Sequence, residues 1–288
     1  MTAASQGRIA RRGRMTVRIG VGKTVAALVA LSLALVFLLP IIWMAFASFR
    51  TIPDLSTFPP TLFPRGWTLD NYTQVFQDLP FARLYLNTTL FAGIVTVGSL
   101  FLDSMAGYAL ARLDFPGRRV IFVVVILLLL LPFQVTLVPL YVLMHNLGLV
   151  NTLAGLVLPR ISNAFGIFFM RQFFLGLPKD LEDAARVDGA SEWRIFASVV
   201  LPLARPALLT LGLFYFQTNW NDLLWPLIMT NDVQDATLPA GLSLFNGEHN
   251  IHYGVIMAGA VLSLLPIVAL FLLVQRSFVQ GIATTGVK

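Results

Sequence analysis

Six apolar stretches dominate the chain, at roughly 25–48, 87–110, 120–144, 153–175, 206–230 and 254–275. Each is near or above the ~20 residues that carry a helix across a bilayer. Hydrocarbon offers no water to a bare N–H or C=O, so a crossing segment must satisfy its own backbone, which runs of this length do as helices. Charge is scarce to match: Asp, Glu, Lys and Arg make up 12% of the chain and mean hydropathy is +0.79. Soluble domains carry about twice that charged share. The predicted fold is an all-α integral membrane protein with six transmembrane helices. Its expected organisation is a basic N-terminal segment 1–24, a six-span domain 25–275 and a tail 276–288. The joining segments are short except 49–86 and 231–253, which are long enough to build small structures outside the membrane. No internal repeat or soluble domain is visible.

Positive charge sets the expected orientation. Arg8, Arg11, Arg12, Arg14, Arg18 and Lys23 precede the first span, and Arg112, Arg118 and Arg119 lie between the second and third. Arg171, Lys179, Arg186, Arg194 and Arg205 lie in or beside the 4–5 connection, and Arg276 and Lys288 close the chain. The other side has only Arg50, Arg65 and Arg83. Lys and Arg are retained on the cytoplasmic side, so both termini and the 4–5 connection are expected there. The net charge of +6 is mostly this topology signal, and no nucleic-acid partner is read from it. The first apolar run is too long for a signal-peptide core of about 7–15 residues, which favours an uncleaved span. Gly22-Lys23-Thr24 looks like half a phosphate-binding loop, but Val17 stands where the first glycine belongs and no strand precedes it. The chain has no Cys, which excludes disulfide and thiolate chemistry.

The polar segment Pro178–Pro202 reads as a helical hairpin between spans 4 and 5. Pro178 suits a helix start, and Asp180, Glu182 and Asp183 place negative charge over its positive end. Ala184 and Ala185 keep the helix thin enough for another backbone to approach. Gly189 stands where a left-handed C-terminal cap is expected. Ser191 is a candidate N-cap for a second helix through Trp193, Ile195 and Phe196. On physical grounds alone this is either an interfacial hairpin or a docking element.

The segment resembles the cytoplasmic coupling motif of binding-protein-dependent ABC importer permeases: E-A-A, three residues, G, nine residues, I-x-L-P. Here it reads Asp183-Ala184-Ala185, Gly189, then Val199-Val200-Leu201-Pro202, with spacing kept and Asp and Val as the departures. Asn71-Tyr72, Tyr108-Ala109-Leu110-Ala111-Arg112, Phe115-Pro116-Gly117-Arg118, Trp220-Asn221-Asp222, Thr237-Leu238-Pro239 and Gly286-Val287-Lys288 extend the resemblance toward the carbohydrate branch, the maltose-type second permease. The resemblance implies a non-catalytic transport subunit in a bacterial inner membrane. Its implied partners are a second permease subunit, two ATP-binding subunits and an extracytoplasmic solute-binding protein. No cofactor is implied on this chain, ATP and Mg²⁺ belonging to the ATPase subunits. Glu182, Asp183, Ala184, Ala185, Asp188, Gly189 and Ala190 become the implied ATPase-coupling residues. A sugar or oligosaccharide is the implied solute, with a glycerol phosphate ester as the alternative.

A pathway must be sought among polar residues inside the spans, where an ionisable group is costly unless paired or hydrated. Asp103 and Arg160 are the obvious ones, either bonded to each other or open to solute. Gln134 between Pro132 and Pro139, together with Asn163, Asn219, Asn221 and Asp222, adds donors and acceptors, and Trp220 or Trp225 offers an aromatic face. The plainer alternative for each is hydrogen bonding between helices. A secondary carrier is disfavoured by the missing repeat. An intramembrane serine protease is disfavoured because Ser243 lacks the glycine elbow and lies in the 231–253 loop. His249 and His252 share that loop and offer at most a weak metal site.

Overall fold

The computed structural model describes residues 21–55, 57, 61, 63–248 and 253–285. The basic segment 1–20, His249, His252 and Gly286-Val287-Lys288 lie outside them. Among the described residues the structure is helical, with one isolated bridge between Arg50 and Trp67. Residues through Met44 form one compact unit, and Ala45 onward forms a second. Helix α1 (Val21–Ala47) carries the first apolar run, and Pro40 sits inside it without ending it.

The described part of segment 49–86 is partly helical. Helix α2 (Asp70–Asp78) is tied down by Asn71, whose Nδ2 donates to the carbonyls of Ser48 (2.9 Å) and Arg50 (2.8 Å). The second span, α3 (Phe81–Arg112), is one unbroken helix of 32 residues, longer at both ends than the expected 87–110. At 1.5 Å per residue it runs about 48 Å, well beyond a hydrocarbon core of about 30 Å. It organises the second unit, contributing to three buried clusters along its length. Phe81 and Leu84 enter the first, Phe91 and Val95 the second, Tyr108 and Ala111 the third.

The next three spans are broken, where the sequence reads as continuous. The third divides into α4 (Arg118–Leu129) and α5 (Phe133–Asn146), bent by 102°. Pro132 has no N–H to continue the ladder and forces Leu131 out of helical geometry. The fourth divides into α6 (Leu153–Val157), a tight turn Leu158–Arg160 containing Pro159, and α7 (Ala164–Leu175), with a bend of 43°. After it, α8 (Asp180–Val187) and α9 (Glu192–Ile195) form the hairpin, followed by one π turn, Phe196–Val200.

The expected span 206–230 is also two pieces, α10 (Arg205–Trp220) and α11 (Leu224–Met229). The polar side chains at the junction compete for backbone: Asn221 Nδ2 donates to Gln217 O at 3.0 Å, and Asp222 Oδ1 accepts from Trp225 N at 3.4 Å. The 231–253 segment is not an open loop. It contains α12 (Leu238–Glu248), whose first amide is held by Thr88 Oγ1 of α3 at 2.7 Å. Leu238 and Ala240 pack with Leu84 and Val255, which is why an apparently water-facing stretch folds inward. Ser243 lies on this helix, not on an elbow. The last span, α13 (Tyr253–Thr285), is unbroken despite Pro266 and continues past the expected residue 275. By length and composition the described residues hold three single helices able to cross a membrane, or six spans when each bent pair counts as one, the third such pair being Glu192–Leu203 with Arg205–Trp220, bent by 79°.

Candidate functional site

The hairpin forms as its local chemistry requires. At the end of α8 the Ala190 amide donates to Ala185 O and the Gly189 amide to Arg186 O, both at 3.0 Å. This is the Schellman arrangement, and Gly189 takes it with φ +78°. Ser191 Oγ accepts from Arg194 N at 3.4 Å and starts α9. Ala185, Ala190, Ile195, Phe196 and Val200 pack on Tyr108, Phe174 and Ala207, so the hairpin is seated against the ends of spans 2, 4 and 5.

That seating divides the sequence-selected residues into two faces. Ala185 is half-buried against the chain's own core, which corrects the expectation that it thins the outer surface; Ala184 stays exposed. Asp183, Asp188 and Gly189 are exposed, and Leu181 and Val187 project beside them, Val187 with 88% of its surface open. Glu182 points the other way, 2% exposed, with Oε1 2.8 Å from Arg112 Nε. Its second oxygen lies 3.6 Å from Arg186 and 3.5 Å from the Tyr108 hydroxyl. Arg186 also binds Asp183 (2.8 Å) and Glu192 (2.7 Å). That guanidinium holds the Glu192 carboxyl below its usual range, while hydrogen bonding to Glu192 pushes Arg186 up. Tyr108 enters the sequence reading only inside a family motif, and Arg112 only there and as a topology charge, since nothing local tells that their partners lie on the hairpin.

A second polar assembly lies where the broken spans meet. Asp103 and Arg160 do not pair with each other, correcting one of the two expectations for them. Asp103 is fully buried on α3 and caps the start of α7 from outside: it accepts from Asn163 N (3.1 Å), Ser162 Oγ (2.7 Å) and the Tyr215 hydroxyl. Bare amides at a helix start and the helix dipole both favour a carboxylate there. Gly166 makes the close approach possible, because a Cβ there would land on Tyr215 and Asp103. Arg160 instead pairs with Asp222 at the break of span 5, and its guanidinium carbon lies 4.0 Å above the Phe133 ring at the break of span 3. One side chain thus touches all three interruptions.

Asn219 is buried and donates to Tyr215 O at 2.8 Å, while Gln134, Asn163 and Asn221 are exposed. Trp220 and Trp225 are fully buried and bonded to Ser263 O and Leu156 O, so neither presents a free aromatic face. Tyr215 is absent from the sequence-selected set, since one hydroxyl in an apolar span gives no local sign of a buried carboxylate partner.

Comparison with known proteins agrees with this architecture. Residues 103–284 match the model of the binding-protein-dependent transport system inner membrane component family. The arabinooligosaccharides transport system permease protein AraQ of Halalkalibacterium halodurans is 38% identical over 89% of this chain and 93% of that protein. The sn-glycerol-3-phosphate transport system permease protein UgpE of Salmonella typhi is 34% identical over 91% and 96%. A crystal structure of a bacterial ABC transporter involved in the import of the acidic polysaccharide alginate contains a chain with a TM-score of 0.78. It is 25% identical, covering 95% of this chain and all of that one.

Proposed function

The chain belongs to the family of binding-protein-dependent transport system inner membrane components, and from that premise we propose that it is a permease subunit of an ATP-driven carbohydrate importer. It supplies half of a translocation pathway, paired with a second permease. Two ATPase subunits carry ATP and Mg²⁺ on the cytoplasmic side, and an extracytoplasmic binding protein delivers the solute. Both termini and the hairpin face the cytoplasm, as the distribution of Lys and Arg supports.

The observation that carries this reading is the outer face of α8. A rigidly capped helix, held on the ends of three spans, presents Leu181, Ala184 and Val187 with Asp183 and Asp188 beside them. Apolar side chains left open on a short cytoplasmic helix fit a groove in a soluble protein, with Asp183 available to a basic group there. The pathway is supported at the junction of breaks, since irregular backbone at membrane depth is tolerated only inside protein or beside water. Gln134, Asn163 and Asn221 are exposed on this isolated chain and are the residues through which it meets solute or the second permease. Asp103, Asn219 and Arg160 hold that wall in place.

A sugar or oligosaccharide is supported by the arabinooligosaccharide relative. The glycerol phosphate relative supports an anionic alternative. The Arg160–Asp222 pair favours the neutral solute, because it cancels the charge that would attract an anion. Purifying the chain from its native membrane tests the assignment: two ATPase subunits and a second permease should come with it. Titration of the cognate binding protein with neutral oligosaccharides and with glycerol phosphate esters decides the solute. A chain recovered alone from intact membranes refutes the importer reading.

A further inference from the structure

We infer that Arg112 and Glu182 form a buried clamp fixing the coupling helix to the end of α3, while the neighbouring acid, Asp183, stays on the exposed face turned toward the partner. The inference rests on the importer reading and deepens it by naming the joint through which hairpin movement enters the spans. Successive residues on a helix point about 100° apart, so Glu182 and Asp183 cannot serve the same surface. Both side chains of the Arg112–Glu182 pair are 3% exposed, and their charged atoms are 2.8 Å apart. Arg112 also donates through a terminal nitrogen to Leu177 O at 2.7 Å, so one guanidinium grips the chain entering the hairpin as well as the hairpin helix. Tyr108, one turn earlier, lies 3.0 Å from Glu192 on the second hairpin helix. Both hairpin helices are therefore fastened to the last two turns of α3.

A buried ion pair need not stabilise a fold relative to apolar packing, but separating its members leaves a bare charge in a dry site. The hairpin cannot tilt away from α3 without that penalty, so a push on α8 moves α3 as a body. Asp183, with 64% of its side chain exposed, makes no such contact with the spans. Arg112 and Glu182 are positioning residues: they touch neither solute nor nucleotide.

The test uses the assembled complex and needs no knowledge of the solute. A single cysteine at the exposed position 82, in the otherwise cysteine-free chain, reports labelling by an impermeant maleimide with and without ATP plus vanadate. In the unaltered clamp, ATP should change the labelling rate. Glu182→Gln and Arg112→Gln should keep their ATPase subunits yet lose about tenfold or more of that response. The swapped pair, Arg112→Glu with Glu182→Arg, should recover part of it. A normal response in the single variants, no response in the unaltered chain, or no recovery in the swap overturns the clamp. If the single variants do not accumulate, the swap decides alone: recovered accumulation with a recovered response supports the clamp, and anything less overturns it. Absence of ATPase subunits from the unaltered chain would instead defeat the importer reading itself.

Discussion

Substitution of Gly189 separates backbone geometry from side-chain contact, because the structure leaves only one of the two in play. The residue sits at φ +78°, and a Cβ built there meets nothing within 4 Å. No steric term arises inside the chain, so Gly189→Ala carries the left-handed backbone cost alone, about 1–2 kcal/mol. With 1.4 kcal/mol per factor of ten, the capped hairpin should lose about 5- to 30-fold in its equilibrium against uncapped forms. Gly189→Val adds a branched side chain, for which this conformation is worse still. Gly189→Asn should stay close to wild type, since Asn enters this region with little penalty. The assay is the affinity of purified permease complex for its ATPase subunits, read beside membrane insertion, which all three variants should retain. A ranking of Gly, Asn, Ala, Val supports the cap. Equal affinity for Gly and Val, or an Asn variant as weak as Val, refutes it.

At the junction of breaks, Arg160→Ala and Asp222→Ala should each destabilise the detergent-solubilised chain, by less than the about 3–5 kcal/mol of a fully buried pair because the side chains are 19% and 10% exposed. The Arg160→Asp, Asp222→Arg double variant should regain part of this, while a swap between 103 and 160 should regain none; unfolding midpoints decide. Tyr215→Phe removes one donor from Asp103 and should cost about 1–3 kcal/mol, and its effect should not add to that of Asp103→Ala. Glu192, held below its ordinary range, stabilises the hairpin at pH above its unfolded value of about 4.3 and loses that contribution as pH falls through its lower folded value. Hairpin proteolysis should therefore be flat from neutral pH down to that range and rise below it. Glu192→Gln should remove the acid-dependent rise, and high salt should shrink it.

The six apolar runs were legible because length and hydropathy are local properties, and so was the Gly189 cap, whose hydrogen bonds close within six residues. The breaks were not. Pro40, Pro139 and Pro266 lie inside continuous helices, whereas breaks fall at Pro132, before Asn163, at Ala204 and after Trp220. Proline alone does not distinguish these cases. What does is whether another helix satisfies the freed groups, as Asp103 does for Asn163 across 60 residues of sequence. Asp103 and Arg160 stood out as expensive charges, but their partners, Tyr215 and Asp222, are settled by how the broken spans pack. The two faces of α8 were hidden for the same reason: composition shows three acids in its first turn, and only the spans beneath it decide that Glu182 turns inward.

The length of α3 is itself constrained. Near its N-terminal end Asn87 donates to the carbonyls of Gln234 and Ala236, and Arg83 meets Asp235. Near the other end Tyr108 and Arg112 hold the hairpin. From Arg83 to Tyr108, and from Asn87 to Arg112, is 25 residues. That is about seven turns, so both sets of anchors look out from the same side of the helix about 37 Å apart. Insertion or loss of one residue anywhere between them would rotate one set by about 100° against the other. Either the network around Gln234 and Asp235 or the hairpin would then lose its register. The number of residues between these anchors should therefore tolerate substitution freely and length variation hardly at all.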